Sequence, residues 1–386
     1  MPTMISATEA AGLLGVSRST LYAYVSRGRI TRTTATDGRS SLFSRDEVER
    51  LAERSRRSSS GPRPTIEVQI ASAVTVLDED RLEFRGHDAA VLAAAHRFET
   101  VAELLWSDTG AEPSGEVTWP TVEPEDASAL ERCRHLPTTA IGRLATAAHV
   151  LDSIHPGDPH DVAARRLLIA APLLFGATRR TGPYARRLAS AWRRSPSGDL
   201  VDAIDAALVM LADHELATST IAVRIAASVR TSPYVALAAG LATAEGTLHG
   251  SASAEVHRFL DACAASDPAS VIASMRADRQ HVPGFGHTIY RRRDPRVEPL
   301  LERVRSIGDV AVVDEAVAEV GRTLPHPPNV DLALGALTWV AGLDPDTPLF
   351  VVARIAGWAA HYAEELRERP VRFRGVARLD RVSPQR

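Results

Sequence analysis

What most restricts this chain is a succession of long alanine- and leucine-rich segments from Ala89 onward: AAVLAAAHRFETVAELLW, TTAIGRLATAAHVLDSI, DVAARRLLIAAPLLFGA and GDLVDAIDAALVMLADHEL. Alanine and leucine lose little freedom in a helix, and the apolar positions return at helical spacing. The body is therefore expected to be mainly α, and no repeat of fixed period divides it. Strand signals are confined to its start, where short alternating apolar runs in Ile66–Leu77 predict a small sheet and Arg81–Gly86 a turn into further helices. The polar, proline-containing stretch Ser107–Pro124 reads as a surface loop. With 386 residues, 45% of them hydrophobic, the chain can bury a large core and hold more than one folded unit.

The two cysteines, Cys133 and Cys263, are far apart and form no Cys-x-x-Cys pattern, which argues against a disulfide framework and a structural zinc site. The first residues, MPTMISATEAAGLL, lack the basic start and apolar core of a signal peptide, and no later apolar run reaches the length of a membrane span. A cytoplasmic protein without membrane contact is expected. All 45 basic residues are arginine. Residues 1–64 carry 11 arginines against 6 acidic residues, a net +5, which leaves −8 on the rest. Any contact with a polyanion is therefore expected at the N-terminus.

That basic head has its own pattern. TEAAGLL (Thr8–Leu14) is a short helix stopping at Gly15, and Ser17 caps a second, SRSTLYAYVSRG, ending at Gly28. After Ile30 the chain reads as a hairpin turning at Asp37-Gly38, then a helix capped by Ser44. Through Glu9-Ala10-Ala11, Leu14-Gly15-Val16-Ser17, Thr20-Leu21-Tyr22, Arg27-Gly28 and Phe43-Ser44, residues 1–54 resemble the small winged helix-turn-helix domains of the MerR and excisionase type. The resemblance implies DNA contacts from Arg18, Ser19, Tyr22 and Tyr24 on or near the second helix, and from Arg39 in the wing. Packing against the body or a partner is the alternative use of such a module. Residues 55–64, within RSRRSSSGPRP, have the composition of a linker.

The chemistry gathers elsewhere. HVPGFGHTIYRRRDPR (His281–Arg296) sets His287 at a bend beside Gly284 and Gly286, followed by Arg291, Arg292, Arg293 and Arg296, whose planar donors match carboxylate or phosphate. LADHELATS places His214 between two acids at the end of an apolar helix, and GTLHGSASAE places His249 before a glycine where a new helix starts. PNVDLALG puts Asp331 in an apolar helix start, where desolvation would raise its pKa towards that of a useful base. Singly, each could be a core histidine, a helix cap or a solvated arginine run.

In this order the segments ADHELATST, GTLHGSAS, GFGHTIYRRRDPR, PNVDLALG, ARIAGW and ERP resemble the citrate synthase family, and the likeness covers residues 65 to 375. It implies an all-α fold of a large and a small helical domain over residues 65–386, the small one inserted at about 210–320, and a homodimer. By the same resemblance Asp331 takes a proton from the methyl group of acetyl-CoA, His249 hydrogen-bonds the thioester oxygen, and His287 polarises and protonates the ketone of oxaloacetate. His214, Arg296 and Arg354 would hold that substrate, Arg369 would reach in from the other subunit, and Phe350 would form part of the apolar wall. Arg291 to Arg293 would lie near the phosphates of CoA. No metal or redox cofactor is implied, acetyl-CoA being a substrate. Two departures stand out: Ser253 occupies a place where the family commonly has asparagine, and the body is short between Trp106 and His135. Propionyl-CoA as the acyl donor, giving 2-methylcitrate, and a metabolite-sensing DNA-binding regulator are the other functions this pattern allows.

Overall fold

The computed structural model describes residues 4–14, 21, 25, 30–34, 41–45, 47–48, 70–78, 80–111, 115–246, 249–250, 252–278, 280–287, 289–290, 292–324 and 326–375. The chain forms two compact units, Met1–Ala71 and Ser72–Arg386. Arg18, Ser19, Tyr22, Tyr24 and Arg39, the turn at Asp37-Gly38, residues 55–64 and Arg291 lie outside the described residues.

The first unit opens with strand β1 (Met4–Ser6), which leads into α1 (Ala7–Leu14). Ser6 and Glu9 bracket this helix start reciprocally: Ser6 N donates to Glu9 Oε2 at 3.0 Å and Glu9 N donates to Ser6 Oγ at 3.3 Å. Strands β2 (Arg32–Thr34) and β3 (Ser41–Ser44) are antiparallel, and β3 is central in the order β1-β3-β2. Leu21 and Val25 are helical, one turn apart, and join Ile5, Ala10, Ile30, Phe43 and Val48 in a small core.

The second unit begins with β4 (Thr75–Asp78), β5 (Arg81–Phe84) and β6 (His87–Asp88), an antiparallel sheet in that order. The segment expected as a turn, Arg81–Gly86, is thus mostly a strand: Leu82 and Phe84 alternate inward, and only Arg85 and Gly86, both at positive φ, make the turn. The first helical run is also divided, into α2 (Ala89–Ala95) and α3 (Phe98–Trp106). Arg97 between them is extended, and Phe98 N restarts the ladder by donating to Asp205 Oδ1 at 3.2 Å. Ser107–Pro124 is more than a surface loop, because Trp119 is buried and stacks on Trp106 at 5.9 Å with ring planes 9° apart.

Helices α4 (Pro124–Arg134), α5 (Ala140–Ile154), α6 (His160–Leu174), α7 (Tyr184–Trp192), α8 (Gly198–Leu211), α9 (Thr218–Ser228) and α10 (Pro233–Ala244) build the larger layer. Helices α11 (Ala252–Ala265), α12 (Pro268–Ala277), α13 (Val297–Ile307), α14 (Ala311–Thr323) and α15 (Val330–Val340) form a second group, with α15 packed between α11 and α13. Last comes α16 (Leu349–Arg367), buried along almost its whole first four turns and packed by α3, α6, α8, α9 and α10. A helix apolar all round belongs in a core. The candidate site lies around its first two turns. Among the described residues no helix is long and apolar enough to cross a membrane.

Candidate active site

Two loops far apart in sequence are fastened together here. Gly286 N donates to Pro327 O at 2.8 Å, Asn329 N to Gly284 O at 2.9 Å, and Asn329 Nδ2 to Gly286 O at 2.8 Å. Gly284 has φ +83°, and a Cβ there would stand 3.1 Å from the Leu332 Cα, so only glycine fits without displacing α15. Asn329 also caps α15, its Oδ1 accepting from Asp331 N at 3.0 Å. A second fastening comes from Asp294, which accepts from Arg296 Nε and Nη2 at 2.8 Å each and, through Oδ2, from Val330 N at 3.0 Å. Together these bonds set His287, Arg296 and Asp331 side by side.

His214 is held by its neighbour. Asp213 is wholly buried; its Oδ2 accepts from Thr75 Oγ1 at 2.5 Å and from Glu215 N at 3.0 Å, and the His361 Nε2 faces it at 3.2 Å. The His361 Nδ1 lies 2.9 Å from Arg224 Nη1, so the ring bridges Arg224 and Asp213. Arg224 continues the chain to Glu364 and Glu365, and Arg372 closes on Glu365. Burial raises the pKa of Asp213, but attraction to His361 and hydrogen bonds from it and Thr75, with Arg354 adding to them, outweigh burial and hold the carboxyl below its ordinary range.

The rings of His214 and His287 meet edge to face at 5.4 Å, and Tyr290 stacks on His287 at 4.9 Å. Arg296 lies over the Tyr290 ring at 5.3 Å. His287 Nδ1 accepts from the backbone N–H groups of Ile289 and Tyr290 at 3.1 Å, which places its proton on Nε2. His249 meets Phe350 edge to face at 5.7 Å, its Nε2 lies 2.8 Å from Ser219 Oγ, and Arg354 sits over the Phe350 ring at 4.8 Å. Burial, then the nearby arginines, lowers the pKa of all three imidazoles, most of all that of His214. The site therefore offers neutral imidazoles, the form that donates a hydrogen bond to a carbonyl without first losing a charge.

Asp331 moves the other way. It is half-buried as a residue, but its carboxyl is packed deep in protein, and burial raises its pKa to about 6 against the pull of Arg296 and Arg354. Arg354 is itself lowered to about 10 by burial. Its Nε and Nη1, the Nε2 of His214 and the hydroxyl of Tyr290 have no hydrogen-bond partner. Buried polar atoms of this kind are normally satisfied, so the unmet donors of Arg354 and Tyr290 in one site indicate a ligand rich in acceptors.

The structure thus brings together His214, His249, His287, Arg296, Asp331, Phe350 and Arg354. Arg369 is exposed beyond the end of α16 and, among the described residues, makes no hydrogen bond or ion pair with them. Arg292 and Arg293 are exposed on the loop after Tyr290. Three groups escaped the sequence reading. Ser219 had a signal, a serine five residues beyond His214 in the same motif; Tyr290 lay within the glycine-arginine stretch; Asp213 stood beside His214. Ser253 lines a cavity of about 630 Å³ with Phe350, Gly250, Phe175, Trp192 and Glu245.

Residues 66–374 match the family described as "Citrate synthase, C-terminal domain", and residues 4–56 match a "Helix-turn-helix domain". The chain is 28% identical over 360 residues to a 2-methylcitrate synthase of Mycobacterium tuberculosis, covering 78% of this chain and 88% of that protein. It is 29% identical over 352 residues to a citrate synthase of Haloferax volcanii, covering 78% and 92%. Its fold matches the crystal structure of citrate synthase from Thermotoga maritima with a TM-score of 0.68 at 22% identity, covering 84% of this chain and 96% of that one. The Thermoplasma acidophilum citrate synthase, solved as a ternary complex with carboxymethyl coenzyme A and oxaloacetate, matches with a TM-score of 0.61 at 20% identity, covering 84% and 97%.

Proposed function

The chain belongs to the citrate synthase family, and from that premise we propose that it condenses acetyl-CoA with oxaloacetate and hydrolyses the product thioester to citrate and CoA. The observation carrying this reading is the convergence of a carboxyl raised to about 6 with three imidazoles whose pKa values are lowered and a buried arginine whose Nε and Nη1 are unmet. A thioester methyl is a very weak carbon acid, so a base and an oxygen donor must act together.

In this reading Asp331 removes the methyl proton, and His249, with Ser219 donating to its Nε2, gives its Nδ1–H to the thioester oxygen. The electron pair left on carbon is delocalised onto that oxygen as an enol. The carbon then attacks the ketone of oxaloacetate as the enol proton returns to Nδ1 of His249; the ketone oxygen takes up the carbonyl pair and the Nε2 proton of His287, which solvent afterwards restores. Water finally displaces CoA from the citryl thioester. His214, Arg296 and Arg354 hold the dicarboxylate, and Arg369 of a second protomer completes the set. The cavity beside Phe350 suits the arm that carries the thioester, while its lining sets Glu245, Asp344 and Asp346 against a single cation, Arg143, which suits the CoA phosphates poorly. Those phosphates are assigned to Arg291, Arg292 and Arg293, which follow Tyr290 in the sequence. These steps use no metal or redox cofactor.

Propionyl-CoA would give 2-methylcitrate by the same steps, and similar proteins carry both names. One methylene in an apolar pocket is worth only about 1–3 kcal/mol. CoA thiol release with oxaloacetate and each acyl-CoA, beside an Asp331→Ala control, tests the proposal. Release lost in the control supports a synthase and the ratio of rates names the donor; no release above the control sinks the reading.

A second reading adds DNA binding, and what favours it is the helix-turn-helix match over residues 4–56. Gel shifts against fragments of the protein's own upstream region, with and without oxaloacetate, test it. Arginine contacts to phosphate must weaken as salt rises, so absent or salt-independent binding would remove this reading.

A further inference from the structure

Away from the candidate site, a cavity of about 270 Å³ opens between α6, the loop that follows it, and α7. None of the residues assigned to the condensation lines it. Three arginines do: Arg179 and Arg180 on the loop, both exposed, and Arg187 on α7, which is only 2% exposed. The opposite wall is apolar, with Ile169 and Leu173 one turn apart on α6. Among the described residues no carboxylate lies within ion-pair distance of any of the three arginines. Arg187 donates from Nη1 to Pro120 O at 2.8 Å, whereas its Nε and Nη2 find no acceptor.

A buried guanidinium without a counter-charge is among the more costly arrangements a fold can hold. The one carboxyl nearby does not answer it. Glu99 is 1% exposed, spends Oε1 on accepting from Tyr184 N at 2.6 Å, and is pushed by burial towards its neutral form. What remains is a concave site with an apolar wall, one buried cation and two more at its rim, which is the composition of a site for a small anion carrying an apolar part.

We propose that this cavity binds a small organic anion, with Arg187, Arg179 and Arg180 meeting its phosphate or carboxylate and the α6 face taking its apolar portion. The site is independent of the condensation chemistry, and its failure would leave that reading untouched.

Calorimetric titration of the full chain with inorganic phosphate and, separately, with butyrate, both at constant ionic strength, decides the matter. One saturable event per chain is expected for at least one of them, and which one binds tells a phosphate ligand from a carboxylate ligand. Arg179→Ala/Arg180→Ala, confined to exposed positions, should weaken it about tenfold or more, as expected when charge-assisted hydrogen bonds are lost. The same double variant should leave thiol release unchanged. Arg187→Met should abolish binding, with circular dichroism as the check on folding; if that variant misfolds, the double variant alone decides. Arg354→Gln should leave the affinity as it is. No saturable heat with either anion overturns the proposal, and so does an event that ignores the double variant or vanishes with Arg354→Gln.

Discussion

The phenol ring of Tyr290 stacks on the imidazole of His287 with centroids 4.9 Å apart and planes 30° apart, while its hydroxyl is buried without a partner. The stack and the overlying Arg296 hold the ring in place, so the hydroxyl contributes nothing to the folded chain and stands available to a bound acceptor. Tyr290→Phe keeps the stack and removes only that group. We expect KM for the keto acid to rise about tenfold with kcat nearly retained, the size of one hydrogen bond to a charged group. The melting temperature should hold or rise, because an unmet hydroxyl is lost. Steady-state kinetics beside a thermal melt checks both; an unchanged KM would show that the hydroxyl never meets substrate.

Asp331 supplies a pH dependence of definite sign. Its folded pKa of about 6 lies above the ordinary 3.8, so as pH falls through about 6 the base is protonated and kcat/KM should decline. Stability runs the opposite way. Between pH 3.8 and about 6 the folded chain keeps a proton that the unfolded chain has released, so stability falls as pH rises through that window. Asp331→Asn should therefore lower activity about 10²- to 10⁴-fold. It should also raise stability at pH 8 by on the order of 1–2 kcal/mol once solvent screening is allowed for. Urea midpoints at pH 8 and pH 4 distinguish this from a neutral substitution, because the gain must shrink at the lower pH.

Gly357 is where α16 touches the loop that carries His214. Its N donates to Ala212 O at 2.9 Å, and a Cβ there would fall inside contact distance of Asp213 Oδ1 and 2.6 Å from Ala212 O. Gly357→Ala should cost about 1–3 kcal/mol or more, as overpacking does. It should also displace His214, raising KM for the keto acid. A variant with an unchanged urea midpoint would mean that the loop yields freely and that the Asp213 network does not hold it.

The assignment of Arg369 to a neighbouring site can be read by mixing protomers. Asp331→Ala and Arg369→Ala are each expected to be inactive alone. A mixed dimer rebuilds one intact site, so coexpression should restore about a quarter of wild-type activity under random pairing. Were Arg369 to serve its own chain, mixing would restore nothing.

The side chains that gather at the candidate site were legible as a group because most sit in short segments at helix ends, where glycine, histidine and arginine stand out against alanine and leucine. The wiring behind them was not. Thr75, Asp213, Arg224, His361 and Glu365 meet across separations such as 138 and 148 residues, and no local pattern announces such pairings. The division between α2 and α3 was hidden for another reason: the alanine run reads through it, and the acceptor that Phe98 N finds there, Asp205, lies 107 residues away. Strand β5 did carry its signal, the alternation of Leu82 and Phe84, but four residues flanked by charges resemble a turn.

Arg354 has a consequence beyond catalysis. A cation sunk in protein with Nε and Nη1 unanswered is costly to the folded chain, and under the proposed reading a dicarboxylate that answers them would bind the native chain alone. Proteases that act on transiently opened chains would then clear the protein fastest when the keto acid is scarce. Its half-life in the cell would lengthen with supply, so that abundance tracks metabolism without any change in transcription.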